Sequence, residues 1–254
     1  MELSSLITYL PPVSEITPYL VGGAVRDRLL GIRPHDFDFS VEADSYQDMV
    51  EWLCDEGFET YLESPSYFTV RAHCPKGGWS FAGHDFSKIT ADFVLCRKDG
   101  AYSDGRRPDT VERGTLLQDQ GRRDLTINSI AMDAEGVLYD PFGGQHDLYS
   151  GMLRAVGSAQ ERFREDALRV LRVMRFSVKL AFEWDDDIQR ALEDPAMAPL
   201  VGAVSAERRR EELAKMFELD LEATLRLLQC AGEDLRSNIL KGINLQPTMK
   251  ERVR

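Results

Sequence analysis

The segment YLVGGAVRDRLLGIRPHDFDFSVEAD, residues 19–44, constrains the fold of this chain more than any other stretch. YLVGG predicts a short strand. AVRDRLLG predicts a helix that begins at the two glycines and ends at Gly31, a residue type suited to a left-handed C-terminal cap. HDFDFSV then alternates polar and aromatic residues with period two, which predicts a second strand. A strand, a short helix and another strand in succession indicate a sheet packed against helices.

Two aspartates, Asp36 and Asp38, lie two positions apart in the predicted second strand. Such residues project from the same face of a strand, about 6.8 Å apart. Their carboxylates then repel each other by about 2.4 kcal/mol at an effective dielectric of ~20. A divalent cation removes this cost, and oxygen ligands of this kind suit Mg²⁺, which usually completes its shell with substrate phosphates. A polar strand face open to solvent is the alternative, and for an isolated D-x-D pattern it is the better explanation.

The residues before the aspartates favour a phosphate ligand. Gly22 and Gly23 let the backbone approach a ligand closely, and the helix N-terminus that follows offers unpaired N–H groups to an anion. Arg26, one turn into the helix, can add charge-assisted hydrogen bonds to phosphate oxygens. The segment fits neither the Walker loop nor the dinucleotide fingerprint. Phosphate on one side and metal on the other predict nucleotidyl transfer, in which two metal ions activate a hydroxyl and stabilise departing pyrophosphate.

The charge of the chain is unevenly distributed. The net charge of -12 argues against a general nucleic-acid binder. Residues 34–63 contain ten Asp or Glu and no Lys or Arg. The arginines concentrate in two later clusters, which are Arg106, Arg107, Arg122 and Arg123, and then Arg162, Arg164, Arg169, Arg172 and Arg175. An anionic partner is expected at these clusters if a metal screens the acidic block.

The order of predicted elements indicates two parts. Strands and helices alternate to about residue 140, with further strands at YFTVRAH and TADFVLCR, and residues 99–121 predict a long mobile loop. From Ala159 onward the pattern is helical, with predicted helices in EDALRVLRVMRF, SAERRREELAKMF and DLEATLRLLQCAGEDL, and the last dozen residues predict a tail. We therefore expect one domain over residues 1–140 and a helical domain over 141–254. Four scattered cysteines, with no membrane span or signal peptide, favour a cytoplasmic location.

GGAVRDRLLGIRPHDFDF resembles the first motif of the class II tRNA nucleotidyltransferases, the CCA-adding enzymes, and of the related bacterial poly(A) polymerases, within the polymerase beta superfamily. Four further motifs follow in the order of that family: RRDLTINSIA, DPFGGQHDL, EDALRVLRVMRF and SAERRREELAKMF. The resemblance implies an α+β fold, with a polymerase-beta-like nucleotidyltransferase head built on a mixed sheet flanked by helices, followed by an all-helical neck. It also implies a short form that lacks the C-terminal body and tail domains of the family.

The resemblance assigns roles to several residues. It implies Asp36 and Asp38 as catalytic ligands of Mg²⁺, with Asp92 as the candidate for a third carboxylate. It also implies that Arg123 and Asp124 contact the ribose and phosphates of the incoming nucleotide. With Gly22, Gly23 and Arg26, these residues form the N-terminal half of the predicted site.

The segment EDALRVLRVMRF predicts how a base is selected. Asp166 and Arg169 are three positions apart and so are neighbours on a helix surface. A carboxylate accepts hydrogen bonds and a guanidinium donates them. Cytosine and adenine present an amino donor beside a ring-nitrogen acceptor, so the pair fits these bases and opposes uracil and guanine. Arg172 and Arg175 continue toward the triphosphate. An exposed charged helix face is the alternative.

The remaining motifs have simpler alternatives. RRD can form a salt bridge in a surface loop, and FGGQHD can form an ordinary turn, because two glycines and an Asp are common in turns. The predicted loop at residues 99–121 can be a flexible connection. In the resembling family, a mobile loop here helps the switch from C to A addition.

The sequence thus predicts a template-independent nucleotidyltransferase that adds C, A or both to the 3′ end of tRNA from CTP and ATP. A poly(A) polymerase is the first alternative, and a noncatalytic nucleotide-binding regulatory protein is an alternative of another class. How the RNA is held without further helical domains is open between a smaller RNA footprint, a homodimer and a separate RNA-holding partner. No membrane partner is expected.

Overall fold

A seven-stranded sheet forms the first part of the chain in the computed structural model, which describes residues 15–87 and 89–243. Its strands, with the short strands outside it, are β1 (Thr17–Val21), β2 (Phe37–Glu42), β3 (Glu59–Ser64), β4 (Thr69–His73), β5 (Ser80–Phe81), β6 (His84–Asp85), β7 (Thr90–Leu95), β8 (Arg97–Asp99), β9 (Val111–Arg113), β10 (Ala131–Met132), β11 (Leu138–Tyr139), β12 (Met152–Leu153) and β13 (Glu183–Trp184). The strand order is β11-β10-β1-β2-β7-β4-β3. Within this sheet β2 and β7 run parallel and the other pairs are antiparallel, so the predicted mixed sheet is confirmed.

Helices flank the sheet and then dominate the second half of the chain. They are α1 (Gly23–Leu29), α2 (Tyr46–Asp55), α3 (Leu116–Gly121), α4 (Gly144–Ser150), α5 (Ala159–Glu165), α6 (Leu168–Leu180), α7 (Asp186–Glu193), α8 (Met197–Ala203), α9 (Ala206–Leu219), α10 (Leu221–Cys230) and α11 (Glu233–Leu240). None of the helices in the described residues is long and apolar enough to cross a membrane. The predicted C-terminal tail lies outside the described residues from position 244 onward.

The two faces of the sheet have different environments. One face packs against α1 and α2 around a group of aromatic side chains, in which Phe39 and Phe93 stack with ring centroids 5.1 Å apart. On the opposite face, Tyr19 and Val21 cluster with Leu116 of α3. The part of that face formed by β2, β7 and β4 carries the partly or fully exposed polar side chains of Asp38, Asp92, Arg71 and His73. The polar half of this face is where the site forms.

A second hydrophobic core lies among the later helices. It contains Met174 of α6, Ile188 of α7, Leu213 of α9 and Ile239 of α11, all at most 1% exposed. Leu125 also belongs to this core. Ile130 and Met132, only a few positions later, belong to the core of the sheet instead. The chain therefore passes between the two cores near the segment RRDLTINSIA. The division into domains at residue 140, just after β11, remains a prediction.

The predicted long loop at residues 99–121 is confirmed only in part, because residues 100–110 have no helix or strand but the segments on either side of them do. Arg97 pairs with Arg113 and Asp99 with Val111, so β8 and β9 form an antiparallel ladder. The short helix α3 follows and begins with a capping box, in which Thr115 Oγ1 accepts from the N–H of Gln118 and the Gln118 side chain accepts from the N–H of Thr115. Local polar side chains thus order a segment whose composition predicts a loop.

Two helices predicted as continuous are each broken. EDALRVLRVMRF spans the end of α5 and the start of α6, because Asp166 adopts an extended conformation with φ −146° and ψ 105°. Its Oδ1 accepts the N–H of Leu168 at 3.0 Å and so takes up a donor that α6 cannot satisfy within its first turn. DLEATLRLLQCAGEDL is divided into α10 and α11 at Ala231 and Gly232, where the backbone is extended.

Candidate functional site

A cavity of about 660 Å³ lies between the sheet and helix α6. All the predicted site residues except Asp92 line it, and they are Gly22, Gly23, Arg26, Asp36, Asp38, Arg123, Asp124, Asp166, Arg169, Arg172 and Arg175. Eight Lys or Arg side chains line the cavity against five Asp. An anionic ligand is therefore favoured here although the chain carries a net charge of -12. Residues more than 130 positions apart in the sequence meet in one concave site.

The aspartates lie at the start of β2. Asp38 is the second residue of the strand, and Asp36 precedes it just outside the ladder. Phe39 is fully buried in the aromatic core, as the alternating pattern predicts. Asp38 is the register partner of Asp92 on the parallel neighbour β7. Asp92 in turn is the register partner of Arg71 on β4. Carboxylates thus occur side by side on neighbouring strands at the polar face of the sheet.

Asp92 is engaged by an arginine. Arg71 donates from Nε to Oδ1 and from Nη2 to Oδ2 of Asp92, both at 2.6 Å, which is a bidentate ion pair. Asp92 does not line the cavity in this arrangement. The structure therefore brings Asp36 and Asp38 into the cavity together and leaves the third predicted carboxylate one strand away, paired with Arg71.

The local charges of Asp38 fit a cation. Desolvation by the surrounding protein atoms raises the pKa of Asp38 even though its side chain reaches the open cavity, and the carboxylates of Asp92 and Asp36 raise it further, although the Arg123 guanidinium opposes this. In residues 15–87 and 89–243, no three His, Cys, Asp or Glu side chains come together to hold a metal ion. A cation at Asp36 and Asp38 would therefore take its remaining ligands from water and phosphate, as Mg²⁺ commonly does.

Gly22 lies between Arg123 and Asp38 and allows these two side chains to approach each other closely. Its backbone has φ +69° and ψ −132°, a conformation that residues with a Cβ rarely adopt. A Cβ at this position would lie 3.3 Å from Nη1 of Arg123 and 3.8 Å from Oδ2 of Asp38. The glycine thus separates a cationic and an anionic side chain without filling the space between them.

Buried Asp119 on α3 orients the RRD segment. Its Oδ2 accepts from Ser40 Oγ at 2.7 Å and from Arg123 Nη2 at 3.1 Å, and its Oδ1 accepts from Arg122. Burial alone would raise the pKa of Asp119, but the two guanidinium groups and the Ser40 hydroxyl hold it well below its ordinary value. Asp119 is fully buried. The sequence analysis did not identify this residue, whose spacing of three and four positions before the two arginines was the available signal.

Asp124 is paired with Arg172 of α6. Arg172 donates to Asp124 Oδ2 from Nε at 2.8 Å and forms an ion pair through Nη2 at 2.7 Å. Burial opposes the charged form of Asp124, but Arg172 outweighs this effect and holds the pKa of Asp124 below its ordinary value. The salt-bridge alternative for RRD is therefore realised, but inside the cavity wall and not in a surface loop.

Asp166 and Arg169 both line the cavity, from the joint before α6 and from its first turn. Asp166 Oδ2 accepts from Arg208 Nη2 of α9 at 2.9 Å. Arg169 donates to the carboxylate of Glu165 and to the carbonyl oxygens of Arg162 at 3.1 Å and Arg122 at 3.2 Å. A carboxylate has about four acceptor positions and a guanidinium five donors, so capacity remains on both side chains.

Arg26 and Arg175 have partners within the protein. Arg26 is only 4% exposed, donates from Nε and Nη2 to Asp27 and from Nη1 to Asn128 Oδ1 at 2.5 Å, and lies over the Phe176 ring. Arg175 donates from Nε to Glu212 at 2.6 Å. Both side chains thus contribute positive charge and shape to the cavity wall from fixed positions.

The cavity also contains residues that the sequence analysis missed. They are Asp27, His35, Arg122, Asn128, Leu168, Phe176, Lys179 and Arg208. Lys179 extends the series Arg169, Arg172 and Arg175 at helical spacing, so its position on the same face of α6 was predictable. Arg208 belongs to the motif SAERRREELAKMF, but its contact with Asp166 depends on how α9 packs against α6.

The segment DPFGGQHDL forms a structural joint. Asp140 accepts the N–H groups of Gly144 and Gln145 at 2.7 and 2.8 Å, and Asp147 accepts the Thr126 hydroxyl at 2.7 Å. A Cβ on Gly144 would lie 2.2 Å from the carbonyl oxygen of Thr126. The simple-turn alternative therefore describes only the start of the segment, because α4 begins at Gly144, where the close contact requires glycine.

Comparisons with known proteins identify relatives of this chain in sequence and in fold. The sequence profile of the family described as the Poly A polymerase head domain matches residues 18–154. The CCA-adding enzyme of Leuconostoc mesenteroides is 36% identical over 229 residues, which cover 90% of this chain and 52% of that protein. The crystal structure of the Bacillus stearothermophilus CCA-adding enzyme in complex with CTP is 32% identical, with a TM-score of 0.68 over 84% of this chain and 47% of that one.

A further solved structure, of a tRNA nucleotidyltransferase complexed with a primer tRNA and an incoming ATP analog, is 26% identical with a TM-score of 0.68 and covers 91% of this chain and 61% of that one. The chain spans about half the length of the curated relatives it matches. The match to the family profile extends over more than half of the chain, and it includes the strand that carries the paired aspartates and the RRD segment. The chain therefore belongs to the family of the Poly A polymerase head domain.

Proposed function

We propose that this chain is a nucleotidyltransferase that adds C, A or both to the 3′ end of tRNA from CTP and ATP and releases pyrophosphate. The observation that carries the proposal is the single cavity that joins Asp36 and Asp38 at the sheet to the arginine-bearing face of α6. The family resemblance and the similarity to CCA-adding enzymes, one of them solved with CTP, support this choice of substrates. A cytoplasmic location fits the four free cysteines and the proposed tRNA substrate.

In the proposed reaction, the 3′-hydroxyl oxygen of the RNA attacks the α-phosphorus of the nucleoside triphosphate. A phosphodiester bond forms, the bond from the α-phosphorus to the bridging α–β oxygen breaks, pyrophosphate leaves with that oxygen, and the hydroxyl proton passes to solvent water. Mg²⁺ held by Asp36 and Asp38 would supply activation of the hydroxyl and charge neutralisation of the leaving pyrophosphate. Asp92 is the proposed third carboxylate, available when Arg71 releases it.

The protein side chains orient the triphosphate. Arg123, held by Asp119 and Ser40, lies next to Gly22 at the end where the aspartates are. Arg172, Arg175 and Lys179 follow each other on α6 along the cavity wall. Their fixed positive charges favour a triphosphate and require little rearrangement when it binds. Gly22, Gly23, Arg26 and Asp124 complete the proposed contacts to phosphates and ribose.

Asp166 and Arg169 are proposed to read the base. The carboxylate accepts from the amino group of C or A, and the guanidinium donates to the adjacent ring nitrogen. Arg208 fixes the orientation of Asp166 through the bond from its Nη2. Uracil and guanine would place a carbonyl and a ring N–H against the wrong partners, which costs about 1–3 kcal/mol for each unsatisfied buried group.

The test is incubation of the protein with tRNA that lacks its terminal CCA, together with CTP or ATP separately and then with both. Defined addition of C and A supports the proposal. Long runs of A with no use of CTP would identify a poly(A) polymerase, the alternative that the name of the matching family favours. Tight ATP binding with no pyrophosphate release on any RNA would identify the noncatalytic alternative. Light scattering of the protein with and without tRNA would recognise a homodimer. RNA extension that occurs only after cell extract is added would indicate a separate RNA-holding partner.

A further inference from the structure

An exposed aromatic pair lies on the same face of the sheet as the paired aspartates. Tyr61 of β3 and His73 of β4 stack with ring centroids 4.6 Å apart and an interplanar angle of 22°. Tyr61 is 53% exposed, and His73 is exposed as well. The reaction proposed above uses neither residue.

The strand register explains why this pair faces the site. On β4, Val70 and Ala72 are buried in the aromatic core, so Arg71 and His73 project from the opposite face. Arg71 is the register partner of Asp92, and Asp92 is the register partner of Asp38. A row of polar side chains therefore crosses the face from β2 to β4, and the aromatic pair stands beside its β4 end.

Tyr61 lies at a β-bulge. Thr60 pairs with Ala72 and Leu62 with Arg71, so Tyr61 is an extra residue between two consecutive pairs. Tyr61 is two positions after Glu59, the register partner of His73, so the alternation of the strand directs it to this face. The bulge leaves Tyr61 without a register partner on β4, and its ring stacks over His73. The His73 ring is fixed from its other side by a 2.9 Å hydrogen bond between Nδ1 and the Thr90 hydroxyl.

The charge of the surroundings permits an RNA strand here. The Arg71 side chain is 45% exposed although it is paired with Asp92. Of the two glutamates of β3, Glu59 forms an ion pair with Lys76 Nζ at 3.1 Å. Glu63 is the register partner of the buried Val70, so it projects from the opposite face, where it accepts the Tyr46 hydroxyl at 3.1 Å. Neighbouring strands are about 4.8 Å apart, and β7 lies between β2 and β4, so the side chains of β4 lie about 10 Å from those of β2. That distance corresponds to roughly three stacked nucleotides at about 3.4 Å each.

We propose that Tyr61, His73 and Arg71 form a platform for the unpaired nucleotides that precede the 3′ end of the RNA primer. This inference rests on the proposed function, and it places those nucleotides on the polar face of the sheet. The stacked aromatic rings take an unpaired base, because stacking on aromatic side chains binds single-stranded RNA with little dependence on sequence. Arg71 meets the adjacent phosphate. The RNA strand then runs along the row so that its 3′-hydroxyl lies near Asp38, while the incoming nucleoside triphosphate occupies the cavity on the α6 side.

The test compares Tyr61→Ala and His73→Ala with the conservative variant Tyr61→Phe and with Tyr149→Ala, which removes a 71% exposed tyrosine from α4. Three quantities are measured for each protein: the KM for tRNA lacking CCA, the Kd for CTP by calorimetry in the absence of RNA, and the Tm. We expect the KM for RNA to rise on the order of tenfold in both alanine variants, since loss of one stacked base has about this effect. The Kd for CTP should stay at its wild-type value, and the Tm should fall only by the few degrees that correspond to loss of a cross-strand pair worth about 0.2–1 kcal/mol. Tyr61→Phe and Tyr149→Ala should behave as wild type.

An unchanged KM for RNA in Tyr61→Ala would overturn the inference, as would parallel losses of CTP binding and Tm, which indicate that the pair only stabilises the edge of the sheet. The proposed function fails separately, if the wild-type protein extends no RNA. In that case anisotropy of a fluorescent single-stranded RNA ending in CC tests the platform alone: equal affinities for wild type and Tyr61→Ala contradict it, and weaker binding by the variant supports it.

Discussion

Asp124 and Arg172 connect the segment that follows α3 to the cation-bearing face of α6. The guanidinium reaches Oδ2 of Asp124 through Nε at 2.8 Å and Nη2 at 2.7 Å, and Asp124 is 8% exposed. The other carboxylate oxygen accepts the N–H of Leu125 at 2.9 Å and the Asn128 amide at 3.2 Å. A buried carboxylate with these partners ties the RRD segment to the helix proposed to select the base.

Replacing Asp124 with Asn should lower the free energy of unfolding at pH 7 by about 1–3 kcal/mol, because Arg172 loses its counter-ion and keeps only a neutral acceptor. The folded-state pKa of Asp124 is below its ordinary value, so the stabilisation is fully present above about pH 4 and is lost as the pH falls through the folded-state pKa. Urea unfolding at pH 7 and at pH 3 measures both effects. Asp55→Asn, at an exposed position of α2, is the matched control. A difference between Asp124→Asn and wild type that grows as the pH falls would contradict this account.

Asp36→Asn and Asp38→Asn should each reduce incorporation of CMP or AMP roughly 10³-fold or more, because each removes a charge that holds the proposed Mg²⁺. Single-turnover extension of tRNA lacking CCA measures the rate. The far-ultraviolet circular dichroism and the Tm should remain close to wild type, since both side chains lie at the cavity. Asp186→Asn, at an exposed position in the first turn of α7, should keep full activity. Normal activity of either cavity variant would refute the role of the paired aspartates.

Arg208→Ala should weaken the selection of C over U about tenfold, because Asp166 loses the bond from Arg208 Nη2 that fixes its orientation. The measurement is the ratio of kcat/KM for CTP to that for UTP on the same RNA. Arg210→Ala changes an exposed arginine of the same helix and should leave the ratio unchanged. If Arg208→Ala lowered both values equally and kept their ratio, Arg208 would serve general nucleotide binding instead of base selection.

Gly144→Ala should destabilise the protein by about 1–3 kcal/mol, because the added Cβ would lie 2.2 Å from the carbonyl oxygen of Thr126 and 2.8 Å from the Ile130 side chain. Chemical denaturation measures the loss. Gly77→Ala is the control, since a Cβ there would meet no atom within 4 Å. Equal stability of Gly144→Ala and wild type would show that α4 can shift without cost.

Four of the seven strands of the sheet, β1, β2, β4 and β7, were predictable from the sequence to within a few residues. The two glycines and Gly31 bound α1, and the alternation in HDFDFSV places Phe39 in the core and Asp38 on the polar face. Ser205 caps α9 as its motif predicts. In each case the signal lies within a few neighbouring residues, so no distant contact is needed to produce the structure.

The errors occurred where a polar side chain or a bulge changed the local structure. Asp166 breaks the predicted helix because its carboxylate caps α6. The capping box at Thr115 begins a helix in a segment predicted as a loop. Strand β3 was not predicted, and its bulge at Tyr61 disrupts the period-two pattern on which strand prediction depends.

The sequence by itself determined the family and 11 of the 19 residues that line the cavity, because these follow from short motifs. The mixed sheet with its helical continuation followed from the family resemblance that those motifs carry. Only the tertiary structure decided that Arg71 holds Asp92, that Ser40 holds Arg123, and that Arg208 orients Asp166. Each of these contacts joins residues more than 20 positions apart and depends on strand register or helix packing. Local sequence patterns do not encode such geometry, because ion pairs form only after the hydrophobic cores have fixed where each backbone lies.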